Sequence, residues 1–216
     1  MAEKMFCMFK KDRIKQMDPG HQNQTSSVSA GENTHAPAKV EKSLLLHICC
    51  APCASGCYPF LQEAEREFCF YFSNSNLNSF SEYERRLDSA RKLADLLQVK
   101  LWIDPYDHSL WLNHVSACEN FQQQKERGPR CRYCFEFSLQ RTAEMAKQLN
   151  MNFATSLTVS PHKDSNLIFS VGTRWDHFEC WNFKKRNGFK ISLENSQKFN
   201  LYRQNYCGCE FSLNRN

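Results

Sequence analysis

No stretch of about 18 consecutive apolar residues occurs anywhere in the chain, which excludes a membrane-spanning helix of ordinary length. The opening segment, Met1–Arg13, lacks an uninterrupted apolar run closed by small residues, so no secretory leader is read there. Strong charge of one sign is lacking too. The net charge of +5 is a weak global field, which permits a nucleic-acid partner only through a local basic face. The expectation is a soluble protein of the cytoplasm with no membrane partner. Because that compartment keeps thiols reduced, the 12 cysteines do not read as a disulfide framework. Metal binding or redox catalysis is their default use.

What is present suits one α/β domain. A chain of 216 residues, 41% of them hydrophobic and 17 of them Phe, can fill a single core. Residues 1–42 mix Lys, Gln, Asn, Ser, Thr, Gly and Pro with no sustained period past Met17 and are expected to be a disordered extension. The domain is placed at 43–216. Short β-like runs at 44–48, 68–72, 99–103, 153–156 and roughly 178–183 alternate with helical patterns, clearest at 81–97 and 133–149. Ser79-Phe-Ser-Glu82 fits a capped start to the first of these helices. This alternation predicts a parallel sheet with flanking helices, whose ligands sit beyond the carboxyl ends of the strands.

Three groups of cysteines fall where such a fold does its chemistry. Cys49 and Cys50 close the first predicted strand, and successive strand residues face opposite ways, so both sulfurs meet one centre only if the backbone turns there. Two buried thiols behaving as small hydrophobes are the plainer reading. Cys131-Arg-Tyr-Cys134 opens an amphipathic helix, where the spacing puts both sulfurs on one face and the helix N-terminus favours thiolates. Together these make four thiolates, a number that suits a [4Fe–4S] cluster or a structural zinc. Cys207-Gly-Cys209 reads as a reducible dithiol pair, with metal ligation as the alternative.

Six ordered blocks between about Ser43 and Ser212 carry a resemblance: Leu44-Leu-Leu-His-Ile-Cys-Cys-Ala-Pro-Cys53, Tyr71-Phe-Ser-Asn-Ser-Asn76, Glu82-Tyr-Glu-Arg-Arg86, Arg127-Gly-Pro-Arg-Cys131, Ser160-Pro-His-Lys163 and Leu201-Tyr-Arg-Gln-Asn-Tyr-Cys-Gly-Cys209. Together they resemble the QueH-type epoxyqueuosine reductases, which are distinct from the cobalamin-dependent enzymes of the same activity. The resemblance implies a HUP-like, Rossmann-type α/β fold. It also implies a [4Fe–4S] cluster on Cys49, Cys50, Cys131 and Cys134, a redox-active disulfide at Cys207 and Cys209, and room for a second iron with Cys53 as its first candidate ligand. The expected reaction is the two-electron deoxygenation of epoxyqueuosine to queuosine at the wobble position of transfer RNA, the last step of queuosine biosynthesis, with an electron donor that the sequence does not identify.

The residues themselves suggest further roles. Lys163, Lys184, Lys185, Arg186, Lys190 and Arg203, interleaved with Phe183 and Phe189, are the candidate RNA contacts, since a base splayed from a single-stranded loop is held by stacking and cations. His162, His47, Tyr202 and Tyr206 are candidate proton donors, although a histidine at a strand's core position is more often structural. Two rival readings stand beside the reductase. An ATP-dependent tRNA-thiolating enzyme needs a phosphate-cradling loop where this chain has Cys49-Cys-Ala-Pro-Cys53. A zinc-stabilised RNA-binding module would use the four thiolates only to hold the fold.

Overall fold

Nothing in the segment Leu-Leu-Leu-His-Ile asks for water except one imidazole, and all five positions of strand β1 (Leu44–Ile48) are buried. A strand covered on both faces reads as such a continuous apolar run. The computed structural model describes residues 42–213. Beyond β1 it contains α1 (Ala51–Glu63), β2 (Phe68–Phe72), α2 (Phe80–Leu97), β3 (Leu101–Ile103), α3 (His108–Val115), α4 (Pro129–Leu149), β4 (Asn152–Thr155), α5 (Ser165–Gly172) and α6 (Gly188–Lys198). Single turns of 3-10 helix lie at Ser156–Val159, Phe183–Arg186 and Glu210–Ser212. The expected extension over 1–42 lies, up to residue 41, outside the described residues.

All strand pairings are parallel, in the order β3-β2-β1-β4. Leu44 stands opposite Phe68 on one side and Asn152 on the other. Alternation along β1 divides the core: Leu44, Leu46 and Ile48 pack with residues of α1 and α2, whereas Leu45 packs with Phe135, Leu139, Ile168 and Val171 from α4 and α5. The chain thus adopts the expected α/β class, a parallel Rossmann-type sheet with flanking helices. No helix among the described residues is long and apolar enough to cross a membrane.

Three boundaries differ from the sequence pattern for visible reasons. The run at 178–183 is not a strand: Phe178 makes one isolated parallel bridge to Phe153, after which the Glu179 carboxylate is taken by Arg66, Asn152 and the Trp181 indole. The third strand starts two residues late because Val99 donates its N–H to Ala94 O (2.9 Å), closing α2 behind the left-handed Gln98. Helix α4 begins at Pro129, four residues before its apolar period is evident, because proline is preorganised for a first helical turn. The cap expected at Ser79 is present, its hydroxyl accepting from Glu82 N at 3.3 Å.

Helices α1 and α6 approach backbone to backbone at two glycines. A Cβ on Gly56 would stand 2.4 Å from the carbonyl oxygen of Gly188. Gly56→Ala is therefore expected to cost about 1–3 kcal/mol, read as a lower urea midpoint with unchanged slope.

Candidate functional site

The site is built where β1, β2 and β4 end. His47, the last polar group inside β1, bridges both neighbouring strands' ends: Nδ1 pairs with Thr155 Oγ1 at 2.9 Å and Nε2 with the Ser73 carbonyl at 3.1 Å. Burial drives its pKa down to about 4, the bond to Ser73 only partly opposing this, so the ring is neutral and satisfied. It is a structural histidine. Asn74 adds a bond from Nδ2 to the Ile48 carbonyl at 2.9 Å, fixing the point at which the strand stops.

Immediately beyond, the chain turns. Cys49 donates its N–H to Ser156 Oγ at 3.2 Å instead of continuing the ladder. Cys50 is the N-cap of α1 in an extended conformation, and its sulfur accepts from Cys53 N at 3.4 Å. The strand therefore breaks as the doublet requires, and Cys49 and Cys50 stand 3.9 Å apart sulfur to sulfur. Cys53 joins them one turn along the helix, all three sulfurs lying within 4.8 Å of one another. Within this triad Cys50 is held well below the usual thiol range by hydrogen bonds from Cys49 and Cys53. Cys49 is pushed up to about 12 and Cys53 well above its usual range, because each gives its proton to a neighbour.

The helix-borne pair stands outside that group. Cys131 and Cys134 occupy the first two turns of α4, which has no side-chain cap. Cys131 Sγ accepts from Arg127 N at 3.3 Å. Burial raises both thiols, Cys134 most, and outweighs the helix N-terminus that was expected to favour their thiolates. The fully buried Trp111 packs beside Cys134, and the two line the same hollow. Two hollows join the groups: one of about 190 Å³ walled by Cys49, Cys50, Cys53, Cys134 and Cys207, and an adjoining one of about 50 Å³ walled by Cys131, Cys134, Cys207 and Cys209. Cys134 and Cys207 face both. Cys207 and Cys209 are free thiols, and burial raises Cys209 to about 11.

Lys163, an expected RNA contact, lines both hollows; burial works against its charge, but Cys207 and then Cys49, Cys53 and Cys50 more than offset this and hold it as an ammonium. Of the other cations, Lys184 donates to the Lys163 carbonyl at 2.6 Å, Arg186 pairs with Glu63 at 2.5 Å, Lys190 reaches Glu194 at 4.0 Å and Lys185 is exposed. Arg203 lies 5.4 Å over the Phe189 ring, and both line the larger hollow. His162 is exposed and meets Arg127 Nη2 at 2.9 Å. Tyr202 and Tyr206 spend their hydroxyls on Glu82 and Asn78, each at 2.9 Å.

Sequence reasoning gave no role to Asn74, Trp111, Ser156 or Gln204, the last of which lines the larger hollow. None carries a spacing signal, and only Asn74 and Gln204, inside recognised blocks, have a positional one.

Thiols of every described segment that carried a candidate converge on one cleft, so the donors present suit an iron–sulfur cluster or a metal ion: soft sulfur ligands, backbone and side-chain donors aimed at them, and one ammonium to balance charge. The family model described as "Epoxyqueuosine reductase QueH" matches residues 44–215. A Streptococcus pyogenes protein called epoxyqueuosine reductase QueH is 33% identical over 186 residues, covering 80% of this chain and 71% of that one. Its namesake in Thermotoga maritima is 32% identical over 177 residues, covering 79% of this chain and 90% of the relative. One from Haemophilus influenzae is 33% identical over 177 residues, 79% and 71% respectively.

The neutral His47 makes stability depend on pH in a definite sense. Its folded pKa lies below the unfolded value of 6.5, so on acidification the unfolded chain takes the proton first. This contribution is fully present above pH 6.5 and is lost as pH falls toward 4. His47→Gln should flatten that part of the urea-midpoint profile while lowering stability at pH 7, where Thr155 and the Ser73 carbonyl lose their best partner.

Proposed function

The chain belongs to the QueH family of epoxyqueuosine reductases, and on that footing we propose that it converts epoxyqueuosine to queuosine at the wobble position of transfer RNA, the last step of queuosine biosynthesis, in the cytoplasm. The observation that carries this reading is the convergence of Cys49, Cys50, Cys53, Cys134 and Cys207 on one hollow at the carboxyl ends of the strands. That is where a parallel sheet holds its ligand.

Removing an epoxide oxygen to leave an alkene takes two electrons and two protons and releases water. A dithiol closing to a disulfide supplies two of each. We assign that role to Cys207 and Cys209, and assign Cys49, Cys50, Cys131 and Cys134 as ligands of a [4Fe–4S] cluster, with Cys53 the first candidate ligand of an additional iron. Such a cluster supplies one-electron transfer and a Lewis acid for the departing oxygen. In support, three of the four assigned sulfurs have a donor of their own: Ser156 Oγ to Cys49 at 3.6 Å, Cys53 N to Cys50 at 3.4 Å and Arg127 N to Cys131 at 3.3 Å. Donors of this kind orient thiolate ligands and raise a cluster's potential. Lys163 keeps an ammonium against the thiols and balances part of their charge. An electron donor, unidentified, returns the disulfide to dithiol.

The rival readings lose ground on the same observations. The turn an adenylating enzyme would use for phosphate is occupied by the Cys50 sulfur and by Pro52, which has no N–H. A purely structural zinc would leave Cys207 without a reason to face both hollows.

We assign the transfer RNA to the larger hollow, where Phe189 and Arg203, 5.4 Å apart, are the candidate stacking and cationic contacts. Lys184, Lys185 and Arg186 lie in the turn just before α6 and are the adjoining candidates for phosphate contact.

The reading is tested by reconstituting the protein anaerobically with iron and sulfide, adding epoxyqueuosine-containing transfer RNA and a reductant, and reading the nucleoside by mass spectrometry. Queuosine should form. Cys207→Ser should abolish turnover with iron content unchanged; loss of iron instead would make this pair a metal ligand. Phe189→Ala and Arg203→Ala should each raise KM for the transfer RNA roughly tenfold, as loss of one stacking contact of about 1–3 kcal/mol implies.

A further inference from the structure

One side of α2 is given over to the segment that carries the last two thiols. Glu82, Arg86, Ser89 and Lys92 recur at four- and three-residue spacing and so share a face of the helix. All four are spent on residues 200–207. The Glu82 carboxylate accepts from Tyr202 Oη at 2.9 and 3.2 Å, Ser89 Oγ accepts from Tyr202 N at 3.1 Å, and Lys92 Nζ donates to the Asn200 carbonyl at 3.0 Å. Arg86, 2% exposed, donates from Nε to Glu82 at 2.7 Å and from Nη1 to the Cys207 carbonyl at 3.0 Å.

We propose that Arg86 is the positioning residue of the thiol pair, fixing Cys207 against the sulfur-lined hollow. This rests on the redox role assigned to Cys207 and Cys209 above. Three further observations carry it. Gly208 has φ of +136°, and a Cβ there would stand 2.5 Å from Leu77 Cδ2 and 3.2 Å from Arg86 Nη1, so the guanidinium lies directly against the backbone between the two thiols. Asn78 N donates to the Gly208 carbonyl at 2.9 Å, and Tyr206 Oη donates to Asn78 Oδ1 at 2.9 Å, so the carbonyls of Cys207 and Gly208 are both held from the same end of α2. The Tyr206 ring lies 5.3 Å from the guanidinium carbon, which closes the side facing the segment.

A buried guanidinium is an expensive way to fill space, since an apolar side chain of the same volume packs without desolvating a charge. Its use here is its shape. The planar fork reaches two acceptors in fixed directions, one on α2 and one on the thiol segment, which an ammonium on a flexible stem does not reproduce. The Cys209 carbonyl is held locally, by Ser212 Oγ at 2.7 Å and Ser212 N at 3.0 Å, whereas the other attachments from this end of α2 reach Asn200, Tyr202 and Gly208, so that among the described residues Arg86 alone ties the carbonyl of a reacting residue to α2. A displacement of about 1 Å at a reacting group costs on the order of a hundredfold in rate, so a rigid hold at this carbonyl has a direct catalytic value.

The test uses the full chain, iron-loaded, as wild type, Arg86→Met and Arg86→Lys. Alkylation by iodoacetamide is followed residue by residue by mass spectrometry, with the exposed Cys180 as internal reference. Arg86→Met should speed alkylation of Cys207 and Cys209 roughly tenfold or more, as local opening of the segment requires, with Cys180 unchanged. Its kcat should fall on the order of a hundredfold with KM for the transfer RNA nearly constant, and Arg86→Lys should lie between. Equal alkylation rates at Cys207 in all three proteins overturn the proposal. Should Arg86→Met fail to fold, the pair Glu82→Gln and Tyr202→Phe loosens the same hold and must give the same faster alkylation, or the proposal falls. Failure of the redox assignment is seen separately, as turnover surviving in Cys207→Ser, and the alkylation rates still decide the role of Arg86.

Discussion

The site depends on one backbone event, the conversion of β1 into α1 across Cys49 and Cys50. In a continuing strand these two side chains would point to opposite faces of the sheet. Cys50 in an extended capping conformation, followed at once by helix, brings both sulfurs and that of Cys53 into one space. What enforces the event is polar and inexpensive: Asn74 on the last strand carbonyl, Ser156 on the first amide past it, and a proline that cannot extend the ladder. The sulfurs are presented by secondary structure ending on schedule, not by a loop folding around them.

Around this point the protein arranges charge carefully. The cleft carries a neutral histidine, a held ammonium, one favoured thiolate and several thiols raised by burial. His47 sits closest to the sheet and is kept uncharged by burial, which the bond to the Ser73 carbonyl opposes only in part. Lys163 sits among the sulfurs and keeps its proton because they face it. The same low-dielectric setting therefore discharges one base and charges another, and the difference lies in whether sulfur or backbone is the neighbour. A cofactor that demands thiolates would find a compensating cation already built into the wall.

Much of this was legible in the sequence, and the illegible part has a common cause. Strands β1 and β2 were readable to the residue because they are covered on both faces and carry nothing else. The start of α2 was readable because Ser79 is a local signal. The cysteine groups were found by position after strands and at a helix start. What escaped depends on partners far along the chain: Glu179 ends the false strand at 178–183 by meeting Arg66 and Asn152, Lys163 is drawn into the cleft wall among thiols from three segments, and Trp111 packs beside Cys134 from a helix with no motif. Cys53 was legible only as an auxiliary ligand, whereas the structure makes it a full third member of the tightest sulfur group.

The three thiol-bearing segments also differ in when they are made. Cys49, Cys50 and Cys53 belong to the first strand-helix unit, Cys131 and Cys134 to the fourth helix, and the wall that bears Cys207 is synthesised only after all four strands are complete. A chain emerging in this order presents an open sulfur-lined trough before the α2 stripe receives its partner. The hollow those thiols wall is therefore complete only once residues 200–207 have joined α2, so the last-made segment decides whether the site closes.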